Sequence, residues 1–413
     1  MNIKDLANYC LQCKNSPCMK GCPLGNHITD FIRLYKEDNY LEAYNTLLLT
    51  TCLSSVCGRI CPHESQCQGK CIRGYKGEPV SIGEIEKEIG DIAIKENFPI
   101  NVKAPNGKKV AIIGSGPAGL TCAFYLKVNG FDVTIYEKHD YLGGLLNHGI
   151  PEFRLDRGVL NNTINRIIDL GIDVKYNMEL GNNLDINELE KDYDAIFIGI
   201  GANLSNKMNI PGEDKINVIP GNEFLEEKQA LDLTNKKVIV SGGGNVAIDV
   251  ARTTKRMGAD VTIIYRRDED SMPANRVEIN DAKNEGINFL LQTNILEVLG
   301  EDEVDGIKVI KTKLVPTENG RPKPVNIDGS EYEIPCDYVF MAIGSHADDN
   351  ILSKLNIELE NGYIKKDLDG LTSNSKIYSG GDIANDNNTV AFAAFNGRKA
   401  AFSIIDRFNE NKA

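Results

Sequence analysis

One stretch of this chain is written twice. KKVAIIGSGPAG, Lys108 to Gly119, returns 128 positions later as KKVIVSGGGNVA, Lys236 to Ala247. At the same offset FDVTIYE, Phe131 to Glu137, returns as ADVTIIY, Ala259 to Tyr265. Further on, DYVFMAIGS, Asp337 to Ser345, echoes DAIFIGIGA, Asp194 to Ala202. Each copy opens with an apolar run suited to a strand buried on both faces, turns through glycines into helical spacing, and ends in a second strand. Two copies of one α/β nucleotide-binding design are therefore expected.

The glycines have separate mechanical tasks. In the first copy Gly114 allows the tight strand-to-helix turn, Gly116 lets backbone N–H groups approach a pyrophosphate, and Gly119 lets helix and strand pack closely. Pro117 and Ala118 open the helix, whose N-terminus carries partial positive charge. Glu137, with Lys138 after it, closes the second strand where an acid can accept hydrogen bonds from an adenosine ribose. In the second copy Gly242, Gly244, Asn245 and Val246 form the loop, and Tyr265 stands where the first has Glu137. Arg266 and Arg267 follow at once, and arginines there suit a ribose 2′-phosphate. The first copy should hold FAD and the second NADPH. Asp268, Glu269 and Asp270 come next and compete in sequence for those arginines, which keeps NAD as the alternative.

Of eleven cysteines, nine lie between Cys10 and Cys71. Eight of the nine, all but Cys52, form two groups, Cys10-x2-Cys13-x4-Cys18-x3-Cys22-Pro23 and Cys57-x3-Cys61-Pro62-x4-Cys67-x3-Cys71. In a reducing compartment such runs point to metal rather than disulfides. Gaps this short let several thiolates converge on one iron–sulfur cluster, and Cys-Pro resembles the close of a bacterial ferredoxin run. Zinc is the competing reading, although structural zinc sites usually show separated cysteine pairs. The net charge of −13 argues against nucleic acid. No apolar run approaches the roughly 18 to 20 residues of a membrane helix, and the opening MNIKDLANYC lacks a signal-peptide plan. A cytoplasmic protein is expected.

Between the cysteine groups, Thr29 to Asn39 and Tyr40 to Leu49 read as two short helices with Phe31, Ile32, Leu34, Tyr35, Leu41, Tyr44, Leu47 and Leu48 as apolar contacts. Ser81-x-x-Glu84 has the form of a capping box opening a third helix to about Lys95. Asn97 to Gly107 reads as a linker. GGLLNHGIPEFRL, Gly143 to Leu155, offers a second close approach to a cofactor at Gly144 and Leu145, and Arg154 is a candidate phosphate contact. Near the end, Gly380, Gly381 and Asp382 precede a helix starting near Thr389. The acid can accept from a ribityl hydroxyl, and the helix N-terminus can stabilise charge on a reduced flavin.

The order of these parts resembles the small, or beta, subunit of glutamate synthase and its relatives. These include the electron-input portion of dihydropyrimidine dehydrogenase and the large subunit of the bifurcating ferredoxin:NADP oxidoreductase. The resemblance rests on the cysteine groups, GCPLGN, GSGPAG, GGLLNHGIPEFRL, GGGNVAID, YRRDEDSMPA and GGD. It implies a helical domain with two [4Fe-4S] clusters over residues 1–107, then a glutathione-reductase-like pair: an FAD domain over 108–204 plus 342–413 and an NADPH domain over 205–341. It implies that Cys10, Cys13, Cys18 and Cys71 share one cluster and that Cys22, Cys61 and Cys67 bind the other, with Glu86 as fourth ligand and Cys57 as its rival. The resemblance further implies transfer from NADPH through FAD and the clusters to a partner. That partner would be a glutamate synthase large subunit, a dihydropyrimidine dehydrogenase-like subunit or ferredoxin. Hydride transfer requires no protein nucleophile, so no catalytic side chain is expected. Cys52, Cys122 and Cys336 read as packed thiols. A zinc-containing nucleotide-binding assembly module is the alternative from another class.

Overall fold

The structure, a computed structural model, describes residues 2–227, 231–317, 322–384 and 388–410. The chain divides into two compact units. The first comprises Met1–Asn147, Glu152–Ala202 and Ala347–Ala413; the second comprises His148–Pro151 and Asn203–His346.

The apolar runs of the first unit become a five-stranded parallel sheet ordered Ile377–Ser379, Ala195–Ile198, Lys109–Ile113, Asp132–Tyr136, Asp173–Lys175. Ala195 to Ile198 is buried at every position, as a strand covered on both faces requires. The helix Pro117–Val128 is buried from Ala118 through Leu126, so it shows little amphipathic pattern. It packs against the long C-terminal helix Val390–Glu410 as well as the sheet. Gly397 permits that crossing, because a Cβ there would come 2.1 Å from the Ala118 carbonyl oxygen.

The N-terminal helices belong to the same unit. Ile28–Lys36, Tyr40–Leu48 and Ile82–Lys95 bury Ile28, Phe31, Ile32, Tyr35, Ala43, Tyr44, Leu47, Ile82, Ile85, Ile89 and Ala93 in one core. Leu41 departs from its expected role: it is 37% exposed, because Ala43 and Tyr44 supply the inward face of that turn. Ser81 does occupy the N-cap of the Ile82–Lys95 helix, but its side chain makes no capping hydrogen bond. The expected capping box is therefore not formed, and Glu84 pairs with Lys87 instead. The helix Ser54–Ile60 crosses Ile82–Lys95 so closely that a Cβ on Gly58 would meet the Lys87 nitrogen at 2.5 Å. That approach seats Glu86 beside the second cysteine group.

The second unit repeats the design. Its parallel sheet runs Val218–Pro220, Tyr338–Met341, Lys237–Ser241, Asp260–Tyr265, Asn288–Leu291. Lys237 pairs with Asp260 as Lys109 pairs with Asp132, so the repeat extends to strand register. An antiparallel four-stranded sheet built on Gly306–Val315 is added to this unit. Among the described residues no helix is long and apolar enough to cross a membrane.

Candidate functional site

In the first cradle, Gly114 has φ +94° and its N–H donates to the Tyr136 carbonyl at 2.9 Å, making the turn out of the sheet. A Cβ on Gly119 would lie 1.9 Å from the Gly114 carbonyl oxygen, whereas one on Gly116 would meet nothing within 4 Å. Open space at Gly116, with closed space at its two partners, fits a site shaped for a group outside the protein. Gly144 and Gly381 converge on the same spot, their Cβ positions 3.1 Å from Gly116 Cα and 3.2 Å from Ala118 Cβ. Glu137 is buried at the strand end. Its carboxylate accepts from Ser115 N at 2.9 Å, Ser115 Oγ at 2.5 Å and His139 N at 3.0 Å. Among the described residues about one of its roughly four acceptor positions is left over. Ser115 Oγ also accepts from Gly143 N at 3.1 Å, tying the paired-glycine loop to the cradle. Lys138 is exposed, Leu145 and Arg154 are half-buried, and Asp382 opens a short 3-10 turn. Thr389 Oγ1 accepts from Phe392 N at 3.3 Å at the head of the C-terminal helix.

The second cradle keeps the outline and changes the filling. Gly242 turns at φ +144°, and a Cβ on Gly244 would meet only Pro273, at 3.9 Å. Helix Asn245–Arg256 follows, with Val246 half-buried in its first turn and Asn245 Oδ1 accepting from Asn275 N at 3.0 Å. Where Ser115 meets Glu137 in the first copy, here Gly243 lies against the Tyr265 ring, leaving no room for a Cβ. Arg266 is exposed and Arg267 Nε donates to Pro322 O at 3.1 Å. The acids after them are engaged elsewhere: Asp268 accepts from Ser271 N, Glu269 pairs with Lys283 at 2.6 Å and Asp270 with Arg276 at 3.3 Å. Among the described residues they form no ion pair with Arg266 or Arg267.

The cysteines gather at two places. Cys10, Cys13, Cys18 and Cys71 line one cavity, together with Leu11, Ile72 and Arg73. Burial raises Cys10 against an opposing backbone hydrogen bond at Gln12 and the charge of Lys36, and burial pushes Cys18 up to about 11. At the second place Cys22, Cys57, Cys61, Cys67 and Glu86 are electrostatic neighbours. Cys22 is pushed up to about 12 by burial and then by Glu86; Cys67 is raised by the same two causes; Cys61 is raised by its contact with Cys57 and then by burial. Burial lifts Glu86 itself to about 8, opposed by a 3.2 Å hydrogen bond from Asn26 Nδ2. A buried acid among buried and half-buried thiols, all without disulfides, is chemistry that a cationic iron centre would satisfy. The remaining thiols, Cys52, Cys122 and Cys336, are buried singly.

Sequence reasoning missed the supports of these sites. Asn26 holds Glu86 and accepts from Thr50 Oγ1 at 2.7 Å. Arg398, on the C-terminal helix, donates to Thr50 O at 2.5 Å and Leu24 O at 2.8 Å. His63 lies 3.5 Å from Cys67 Sγ and 3.3 Å from the Gly58 carbonyl oxygen. The available signal was local only for Asn26, four residues after Cys22 in GCPLGN.

The fold and the paired glycine turns define a two-nucleotide oxidoreductase with a cysteine-rich helical extension. Comparison with known proteins agrees: the profile for pyridine nucleotide-disulphide oxidoreductases matches residues 108–398. A second profile, the 4Fe-4S domain II of dihydropyrimidine dehydrogenase, matches residues 1–98. The glutamate synthase [NADPH] small chain of Halomonas elongata is 37% identical over 97% of this chain and 89% of its own length; that of Escherichia coli is 36% identical over 98% and 91%. The Mycobacterium tuberculosis FprA structure in complex with NADPH, 19% identical, covers 74% of this chain and 85% of its own with a TM-score of 0.66, a likeness of fold. This chain belongs to the pyridine nucleotide-disulphide oxidoreductase family, in the branch that includes the glutamate synthase small chains. It is an oxidoreductase for FAD, a pyridine nucleotide and 4Fe-4S iron.

Proposed function

We propose that this chain is the electron-input subunit of a larger enzyme, taking electrons from NADPH and passing them through FAD and two [4Fe-4S] clusters to a partner. The observation that carries this reading is the gathering of the cysteines and Glu86 into two sites within the compact unit that also contains the first glycine cradle. The bound cofactors supply hydride acceptance and one-electron chemistry; the protein supplies position and electrostatics.

Residues 108–204 and 342–413 form the FAD domain in this reading. Gly114, Gly116, Pro117, Ala118 and Gly119 hold the pyrophosphate at the helix N-terminus, Glu137 and Lys138 take the ribose side, and Gly144, Leu145 and Arg154 close over it. Gly381, Asp382 and Thr389 face the ribityl and ring end. Residues 205–341 form the NADPH domain, in which Gly242, Gly244, Asn245 and Val246 hold the pyrophosphate and Arg266 and Arg267 select the 2′-phosphate. Residues 1–107 hold the iron: Cys10, Cys13, Cys18 and Cys71 at one cluster, Cys22, Cys61, Cys67 and Glu86 at the other. Glu86 is favoured over Cys57 because the family that the sequence resembles places a side chain of the Ile82–Lys95 helix there, and the Glu86 carboxylate is buried and held by Asn26 Nδ2.

The Halomonas and Escherichia relatives support a glutamate synthase large subunit as partner. The match of residues 1–98 to the dihydropyrimidine dehydrogenase domain supports a pyrimidine-reducing partner as the second reading. Anaerobic NADPH should bleach the flavin and then the iron–sulfur absorption; bleaching by NADH alone would overturn the choice of nucleotide. Isolation from the native cell with the attached subunit identified would separate the two partners.

A further inference from the structure

The first cysteine cavity has an unusual collar. Leu11, Ile72 and Tyr75, on the two segments that supply its cysteines, are 51%, 41% and 84% exposed. Along those two segments the charge has one sign. Residues 9–25 and 66–77 contain Lys14, Lys20, Lys70, Arg73 and Lys76 and no acid, in a chain whose net charge is −13; Glu78 ends the basic stretch. The four lysines are exposed and form no ion pair among the described residues. The two segments are neighbours in space as well: a Cβ on Gly21 would lie 2.7 Å from Lys70 Cγ, and Arg73 Nε donates to Tyr9 O at 3.0 Å. Arg73 also covers the Tyr9 ring at 4.1 Å.

Unpaired lysines on an otherwise acidic surface repel one another without an internal benefit. Surface pairing elsewhere in the same domain is ordinary, as Lys4–Asp38 and Arg33–Glu37 show. An apolar centre with a charged rim is the anatomy of a protein contact, and a rim of one sign speeds encounter with the opposite sign.

We infer that the mouth of the Cys10–Cys13–Cys18–Cys71 cavity is a docking surface for a partner protein that presents an acidic face, with Leu11, Ile72 and Tyr75 at its centre and Lys14, Lys20, Lys70 and Lys76 at its rim. The inference rests on the electron-transfer reading above and adds where the acceptor sits and what charge it carries.

Two forms of one haem protein test the charge: native cytochrome c, which is basic, and succinylated cytochrome c, in which the lysines have become acidic. The NADPH-reduced, cluster-loaded chain should reduce the succinylated form faster at low salt, and that advantage should fade as ionic strength rises past about 0.1 M. Replacing Lys14, Lys20, Lys70 and Lys76 with Glu should cut the ratio of succinylated to native rates by about tenfold or more. The double variant Lys70→Glu, Lys76→Glu should lie between. Unchanged cluster absorption, and unchanged bleaching of flavin and clusters by NADPH, show that each variant is folded and that the electron path inside the chain is intact. A ratio that the substitutions do not move, or a wild-type preference for the native form, would overturn the docking surface. Failure of NADPH to bleach the clusters in the wild-type chain would instead overturn the electron-transfer reading.

Discussion

The two glycine cradles share a strand register and differ in what fills the turn. In the first, Ser115 and buried Glu137 are locked together and to the Gly143 loop. In the second, the same two positions are Gly243 and Tyr265, packed ring against backbone, and the charge comes one residue later at exposed Arg266. On the proposed assignment, the difference separates a buried cofactor clasp from an open recognition edge. A tightly held group suits the first, and a nucleotide that must enter and leave suits the second.

The comparison breaks most visibly at its second glycines. Gly116→Val and Gly244→Val both add bulk where the protein itself has room, so each variant should fold. Gly116→Val should emerge without flavin, measured by absorbance after purification. Gly244→Val should keep its flavin and iron yet raise the KM for NADPH by about 100-fold or more, a loss of roughly 3 kcal/mol. If both variants lose flavin alike, the two cradles do not have separate tenants.

The second cysteine site sharpens the contrast between open and closed. Glu86→Ala should remove one cluster and about half of the iron while leaving the flavin, whereas Cys57→Ala should retain the iron. Iron analysis and the electron paramagnetic resonance spectrum of the reduced chain check both. The reverse pattern would make Cys57 the ligand.

Much of this was legible beforehand, and the reason is periodicity. The 128-residue repeat fixed which segments become paired strands, and Lys109–Asp132 and Lys237–Asp260 pair as that offset requires. The short spacing within each cysteine run brings most of its thiols together, but Cys71 joins the first run's cavity and Cys22 the second site, an exchange that spacing alone does not show. Features made by distant residues were hidden. Asn26 reaches Glu86 across 60 positions and Arg398 reaches Leu24 across 374, and neither pairing has a local signature. Ser115 is merely the variable residue of G-x-G until Glu137 folds over it. The capping box at Ser81 was a local pattern that did not form: the Ser81 side chain makes no capping hydrogen bond and Glu84 pairs with Lys87.

Smaller effects refine the comparison. Arg266→Gln should raise the KM for NADPH about tenfold and leave that for NADH nearly unchanged, since one charge-assisted phosphate contact contributes about 1.5–3 kcal/mol. Steady-state kinetics with both nucleotides reads this directly, and equal effects on the two would remove the 2′-phosphate role. Ser115→Ala deprives a buried carboxylate of one donor and should lower the melting temperature of the flavin-free chain, at a cost of about 1–3 kcal/mol. Gly243→Ser, the mirror change, forces a side chain onto the Tyr265 ring and should destabilise the second unit without altering flavin content.

The most direct test of the electron path is the metal and flavin content of chain prepared without oxygen, followed by its response to NADPH. About eight iron atoms and one flavin per chain are expected, with both chromophores reduced by the nucleotide. A colourless chain containing zinc, or a flavin that NADPH reduces while the iron centres stay oxidised, would contradict it.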